Sequence, residues 1–308
     1  MKKYLYLCGK FKTYCMKKFI KPIFTVVIFL VMQLVAGLFA AIGSMAGLSH
    51  TTSLAIALIL SGIITVVVLF YLGLIHTRAF ELIRMKWKPL MLGIVGAFAG
   101  VYTLNIICEA MNLPDFTKTE VIKLAYNPIG AIAMVIVAPF VEEVVFREGI
   151  ITHMLRRDFH RWEAIMVSSL AFSLVHFNPS QIPFAFAMGI IFAIIFIKTG
   201  NIYTTWFIHA VNNFMAVMDI RARGGISNGI RIAVEGDFFT YFYMFIGGSI
   251  CVLSLWFFWN AYHRGHHSQS RPSSGPKRRI SAMIDEINPL KDHTDYNNYN
   301  KYGRYRKW

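Results

Sequence analysis

Three clusters of polar side chains interrupt hydrophobic stretches of this 308-residue sequence. The first is "VEEVVFREGI", which sets Glu142, Glu143, Arg147 and Glu148 directly after the apolar run "AIAMVIVAPF". The second is "AFSLVHFNPS", with Phe172 and His176, and the third is "WFIHAVNNF", with His209, Asn212 and Asn213. Carboxylates, imidazoles and amides are the groups that exchange protons and hydrogen bonds near neutral pH. Inside an apolar segment an ionisable group costs about 3 kcal/mol or more, and it usually faces a partner or a water-filled cavity.

Helical spacing says which of these groups can meet. If 128–152 is one helix, Glu143 and Arg147 are i,i+4 neighbours in the favourable order and can neutralise each other. Glu142 then points about 100° away, so the same arginine cannot easily serve it and it needs another partner. Pro139 removes a backbone donor and can kink the helix, opening space for water near Glu142. Phe172 shares a face with His176, His209 shares one with Asn213, and Asn178-Pro179 ends the middle segment. One carboxylate, two imidazoles and one amide from three segments could therefore occupy a single cavity. Taken singly, each residue has a plainer role. An intramembrane His or Asn commonly bonds helix to helix, Glu143 with Arg147 could be purely structural, Phe172 could be core packing, and Glu148 is expected to be solvated near a span end. Their joint occurrence favours a shared site.

The elements that must position them are membrane helices. Hydrophobic residues make up 56% of the chain and charged ones 15%, against about 25% charged in soluble domains. Crossing a hydrocarbon core of about 30 Å takes about 20 mostly apolar residues. Eight segments qualify, near 22–47, 53–75, 89–111, 128–152, 162–177, 182–199, 203–218 and 238–259, with the fifth and seventh the shortest and most polar. The fold expected is all-α and polytopic, with about eight transmembrane helices around a polar active-site cavity.

Positive charge orients it. With the N-terminus cytoplasmic, the cytoplasmic segments hold 25 of the 31 Lys and Arg residues, as short inner loops do. Both termini are then expected inside, although Arg221, Arg223 and Arg231 face outward in this arrangement. The basic start "MKKYLYLCGKFKTYCMKKFIK" reads as the leader of a retained signal anchor rather than a cleaved signal peptide. Two domains are expected: a membrane domain over 1–259 and a basic, largely disordered cytoplasmic tail over 260–308 with one short helix around "ISAMIDEI". The net charge of +15 lies mostly beside the membrane, so anionic lipid rather than nucleic acid is the expected partner. Cys8, Cys15, Cys108 and Cys251 show no pairing or metal-binding spacing. The tail's "RGHH" is read as solvated.

In order and on hydrophobic helices, the clusters resemble the signature of the CPBP family of intramembrane proteases, also called the Abi or type II CAAX prenyl endopeptidase family. EExxxR matches Glu142, Glu143 and Arg147; FxxxH matches Phe172 and His176; HxxxN matches His209 and Asn213. The resemblance covers roughly 128–215. It departs at Glu148, which intervenes before Gly149 where the family commonly has glycine directly after the arginine.

The resemblance implies an endopeptidase acting on a membrane-associated or lipidated protein or peptide. Glu142, helped by His176, would activate water, and His209 with Asn213 would stabilise the oxyanion. Glu143 and Arg147 would hold the first helix. A metal-free site is favoured; if the enzyme is metal-dependent, Glu142, His176 and His209 would hold zinc. A bacterial plasma membrane is the expected location. The alternatives are a proton-coupled transporter, or a silent scaffold or bacteriocin-immunity protein. With the helix ends so drawn, His176 lies near the outer end of its span and His209 nearer the inner end of its own, and only tilted or re-entrant helices would reconcile their depths.

Overall fold

The computed structural model describes residues 2–76, 80, 87–223 and 238–267, with two two-residue strands, Tyr299–Asn300 and Arg304–Tyr305. Apart from that strand pair, the ordered structure among the described residues is helical. We number the helices α1 (Lys2–Met45), α2 (His50–Tyr71), α3 (Trp87–Ala110), α4 (Lys118–Tyr126), α5 (Pro128–Arg156), α6 (Arg161–Leu174), α7 (Ile182–Thr199), α8 (Ile202–Arg223) and α9 (Phe238–His267).

All eight expected segments are helical, and among the described residues six helices are long and apolar enough to cross a membrane: those of α1 from Ile20, α2, α3, α5, α7 and α9. The other two explain themselves physically. α6 has 14 residues, a length of about 21 Å, while α8 carries His209, Asn212, Asn213, Asp219 and Arg221 along its 22 residues. The expected tail lies almost wholly outside the described residues, including "ISAMIDEI"; α9 itself runs on to His267.

Local chemistry sets the helix ends. Ser49 Oγ accepts from Thr52 N at 3.2 Å to start α2, and Asn127 Oδ1 accepts from Gly130 N at 2.9 Å ahead of Pro128 to start α5. Both are N-caps, and proline belongs at the first helical position. At α6 the caps are reciprocal: His160 Nδ1 accepts from Trp162 N, and Glu163 accepts from His160 N at 2.7 Å. α7 stops at Gly200, whose φ of 63° suits glycine.

Helix α5 is central, touching α1, α2, α6, α7 and α8, while α1 pairs with α2, α3 with α9, and α6 with α7. At its heart lies fully buried Phe146, edge-on to Phe29 at 5.7 Å and to Phe172 at 5.3 Å. Gly149 lets α1 approach, because a Cβ there would come within 2.6 Å of Thr25 Cγ2.

The expectation of one regular α-helix at 128–152 needs correction. α5 is π-helical over Ala133–Val137 and Val144–Thr152, on either side of an α-helical Ala138–Glu143. The first π stretch ends just before Pro139, which cannot donate to the preceding turn. Wide turns of this kind leave carbonyls open to other partners and are frequent at functional sites. Here α8 supplies two of those partners: Trp206 Nε1 donates to Ile136 O at 3.0 Å, and Asn213 Nδ2 donates to Met134 O at 3.0 Å.

Candidate active site

The EExxxR segment behaves as spacing predicts for one glutamate. Arg147 NH2 donates to Glu143 Oε1 at 3.3 Å, and Arg147 Nε lies 3.0 Å from Glu143 Oε2, an ion contact too bent for a directed hydrogen bond. Both side chains are fully buried. Such a pair needs further hydrogen bonds to offset desolvation, and it has them. Ser168 Oγ lies 3.5 Å from Arg147 NH1 and donates to Phe146 O at 2.8 Å, while the guanidinium sits over the rings of Phe172 and Phe192 at 5.1 and 5.7 Å.

His209 is the partner that Glu142 lacked within its own helix. Its Nδ1 is 3.1 Å from Glu143 Oε1, and its Nε2 is 3.6 Å from Glu142 Oε2. The imidazole therefore lies between two adjacent carboxylates. Since a carboxylate only accepts, Nδ1 is the donor toward Glu143. Thr205, four residues before His209 on α8, is buried and donates to Ile202 O at 3.1 Å within its own helix. Glu142 keeps 18% of its side chain exposed while Glu143 keeps none. The two glutamates thus have separate environments, one locked and one accessible.

Phe172 joins the remaining histidine to this group. Its ring is edge-on to His176 at 5.1 Å and to His209 at 5.8 Å, and its carbonyl accepts from His176 Nδ1 at 2.8 Å. The two histidines thus meet at one ring although His176 stands just past the end of α6, which stops at Leu174. Buried Asn178 fixes that end: its Oδ1 accepts from Phe116 N at 3.2 Å, and its Nδ2 donates to Asp115 Oδ1 and Thr117 Oγ1, each at 2.8 Å.

The structure brings Glu142, Glu143, Arg147, Phe172 and His209 together, with His176 against the ring of Phe172. Asn213 is held to Met134 O and accepts from Asn212 Nδ2 at 3.1 Å. Sequence reading missed Ser168, which precedes Phe172 by one helical turn, and it expected Asn178 to end the segment without the three partners that hold it there. Glu148 is a correction: expected to be solvated, it is 5% exposed and lies 3.5 Å from His76 Nδ1. For zinc the fit fails as the side chains stand. No group of three or more His, Cys, Asp or Glu among the described residues could hold a metal ion, and both ring nitrogens of His209 face carboxylates.

The molecule is thus an all-helical integral membrane protein whose central helices enclose an acid, base and amide cluster. Residues 125–215 match the family model described as Type II CAAX prenyl endopeptidase Rce1-like. The resemblance drawn from the three motifs therefore holds, and the matched segment contains every residue of the cluster. The chain is also similar to "Putative membrane peptidase YdiL" of Bacillus subtilis (strain 168), 32% identical over 94 residues, which cover 30% of this chain and 38% of that protein. No solved structure matches the chain.

Proposed function

We propose that this protein is an intramembrane endopeptidase that hydrolyses a peptide bond in a membrane-associated or lipidated protein or peptide, with Glu142 as general base. The observation that carries this reading is the asymmetry of the two glutamates. Glu143 is tied to Arg147 and His209, so its charge is already matched; Glu142 is the accessible carboxylate beside a histidine. A base of this kind must reach the proton it abstracts directly or through one water.

In the proposed reaction Glu142 takes a proton from water as the oxygen attacks the scissile carbonyl. His209, as an imidazolium between the two carboxylates with Nδ1–H held by Glu143, donates its Nε2–H to the oxyanion together with the second amide hydrogen of Asn213, whose first is engaged by Met134 O. Donors held in place before charge develops cost no reorganisation in the transition state. The protonated Glu142 then returns its proton to the departing amine as the C–N bond breaks. His176, donating through Nδ1 to Phe172 O, leaves Nε2 as an acceptor that orients the attacking water.

The family description and the name of the similar peptidase support the reaction class. The test compares protein termini by quantitative mass spectrometry in membranes holding wild type or Glu142→Gln at equal abundance. Termini made only by wild type support proteolysis and identify substrates, and repeating the cleavage with purified protein and a chelator decides metal dependence. Identical termini would defeat the reading. Coupled ion or solute flux lost in Glu142→Gln would instead favour a transporter, and a phenotype that survives Glu142→Gln but is lost on removal of 260–308 would favour a scaffold.

A further inference from the structure

A second polar cluster lies at the end of α5 beyond Glu148, and the reaction does not use it. Lys21 of α1 donates to Gly73 O at 3.5 Å in the turn after α2. Three residues on, His76 stands 3.5 Å from Glu148 and has Arg156 NH1 within 3.0 Å of both ring nitrogens. Lys21, Arg156, Arg157 and His76 all bear electrostatically on His153, whose Nε2 is buried without a hydrogen-bond partner among the described residues. Three permanent cations and two imidazoles thus crowd one corner, with Glu148 as the carboxylate among them; exposed Asp158 follows Arg157 on the turn.

We propose that this corner binds the phosphate of an anionic phospholipid. Depth decides for a lipid rather than a soluble anion. The apolar stretches Ile20–Met45, His50–Tyr71 and Pro128–Arg156 all have an end here, which puts the cations at headgroup level with acyl chains alongside α1 and α2. Basic pockets between membrane helices take such headgroups. Arginine can grip phosphate through two parallel N–H groups, and lysine acts as a point charge. Positive-inside bias alone accounts for basic residues on this side, since solvated cations spread apart. It does not account for their gathering around a half-buried imidazole whose Nε2 is shielded from solvent. In the orientation set by the basic residues, this is also the leaflet rich in anionic lipid.

The test is native mass spectrometry of the purified full chain titrated with phosphatidylglycerol or phosphatidylcholine. The expected result is preferential retention of phosphatidylglycerol. The double variant Lys21→Gln/Arg157→Gln should weaken it by about thirtyfold, and Arg157→Gln alone, at an exposed position, by about fivefold. Retention should survive the charge-conserving Lys21→Arg/Arg157→Lys exchange, and phosphatidylcholine should be unaffected throughout. Equal retention of the two lipids, or phosphatidylglycerol binding untouched by Arg157→Gln, overturns the proposal. So does full displacement of the lipid by inorganic phosphate, which would make the corner a free-anion site.

Discussion

Helix α5 carries two charged clusters less than two turns apart, and they are built in opposite ways. Around Glu143 the charges balance: one carboxylate meets one guanidinium on the same helix, and neighbouring helices contribute Ser168 and His209 as polar partners. Around Glu148 they do not, because cations from α1 and the end of α5 outnumber the carboxylate, and the histidine beside it is one-third exposed. The difference shows that position along a membrane helix, more than residue type, decides what a glutamate can do. In the middle a charge must be matched within the protein. At the edge, solvent and lipid headgroups can share the task.

The largest effect expected is catalytic. Glu142→Gln should slow the formation of new peptide termini by about 10²- to 10⁴-fold, the usual contribution of a general base, while the melting temperature in detergent changes little. Next comes Arg147→Met, which takes the guanidinium from buried Glu143 and leaves it only the hydrogen bond from His209. It should cost about 3–5 kcal/mol, read as a large fall in thermal stability, and a mild effect would mean that the Glu143 cluster is wetter than described. Asn178→Ala removes a side chain that bonds three partners and should cost about 1–3 kcal/mol. Proteolysis of the Asp115–Thr117 loop should rise in the same variant. Smallest is Glu148→Gln, which should shift stability by about 1 kcal/mol or less, the range for a partly solvent-exposed pair. A loss as large as that of Arg147→Met would erase the distinction between the clusters.

Much of the site could be read in the sequence because its strongest pair is local. Glu143 and Arg147 meet by helical arithmetic, as do Phe172 and His176. The contact between His209 and the two glutamates joins residues 66 or 67 positions apart in the chain; the motifs imply that they share a site but not which nitrogen faces which oxygen. The π-helical turns left no signal beyond Pro139, so the open carbonyl that captures Asn213 could not be foreseen. Glu148 was misjudged for a related reason. Its place near the end of an apolar run suggests solvent, but α1 and the turn after α2 cover it, and coverage depends on packing rather than pattern. The eight helices were legible from hydrophobicity, whereas the shortness of α6 depended on where Asn178 turns the chain.

That short helix has an effect on the bilayer. Trp162, Met166, Leu170 and Leu174 form an exposed stripe along α6, so lipid tails lie against a helix about 9 Å shorter than the usual hydrocarbon thickness. The cheapest accommodation is for the bilayer to thin beside it. Thinning would bring the water boundary toward His176, so in the proposed reaction the membrane itself would shorten the path by which water reaches the carboxylates. By the same mismatch a thicker or stiffer bilayer would resist the dimple and close that path, making the lipid surroundings a control on the proposed reaction.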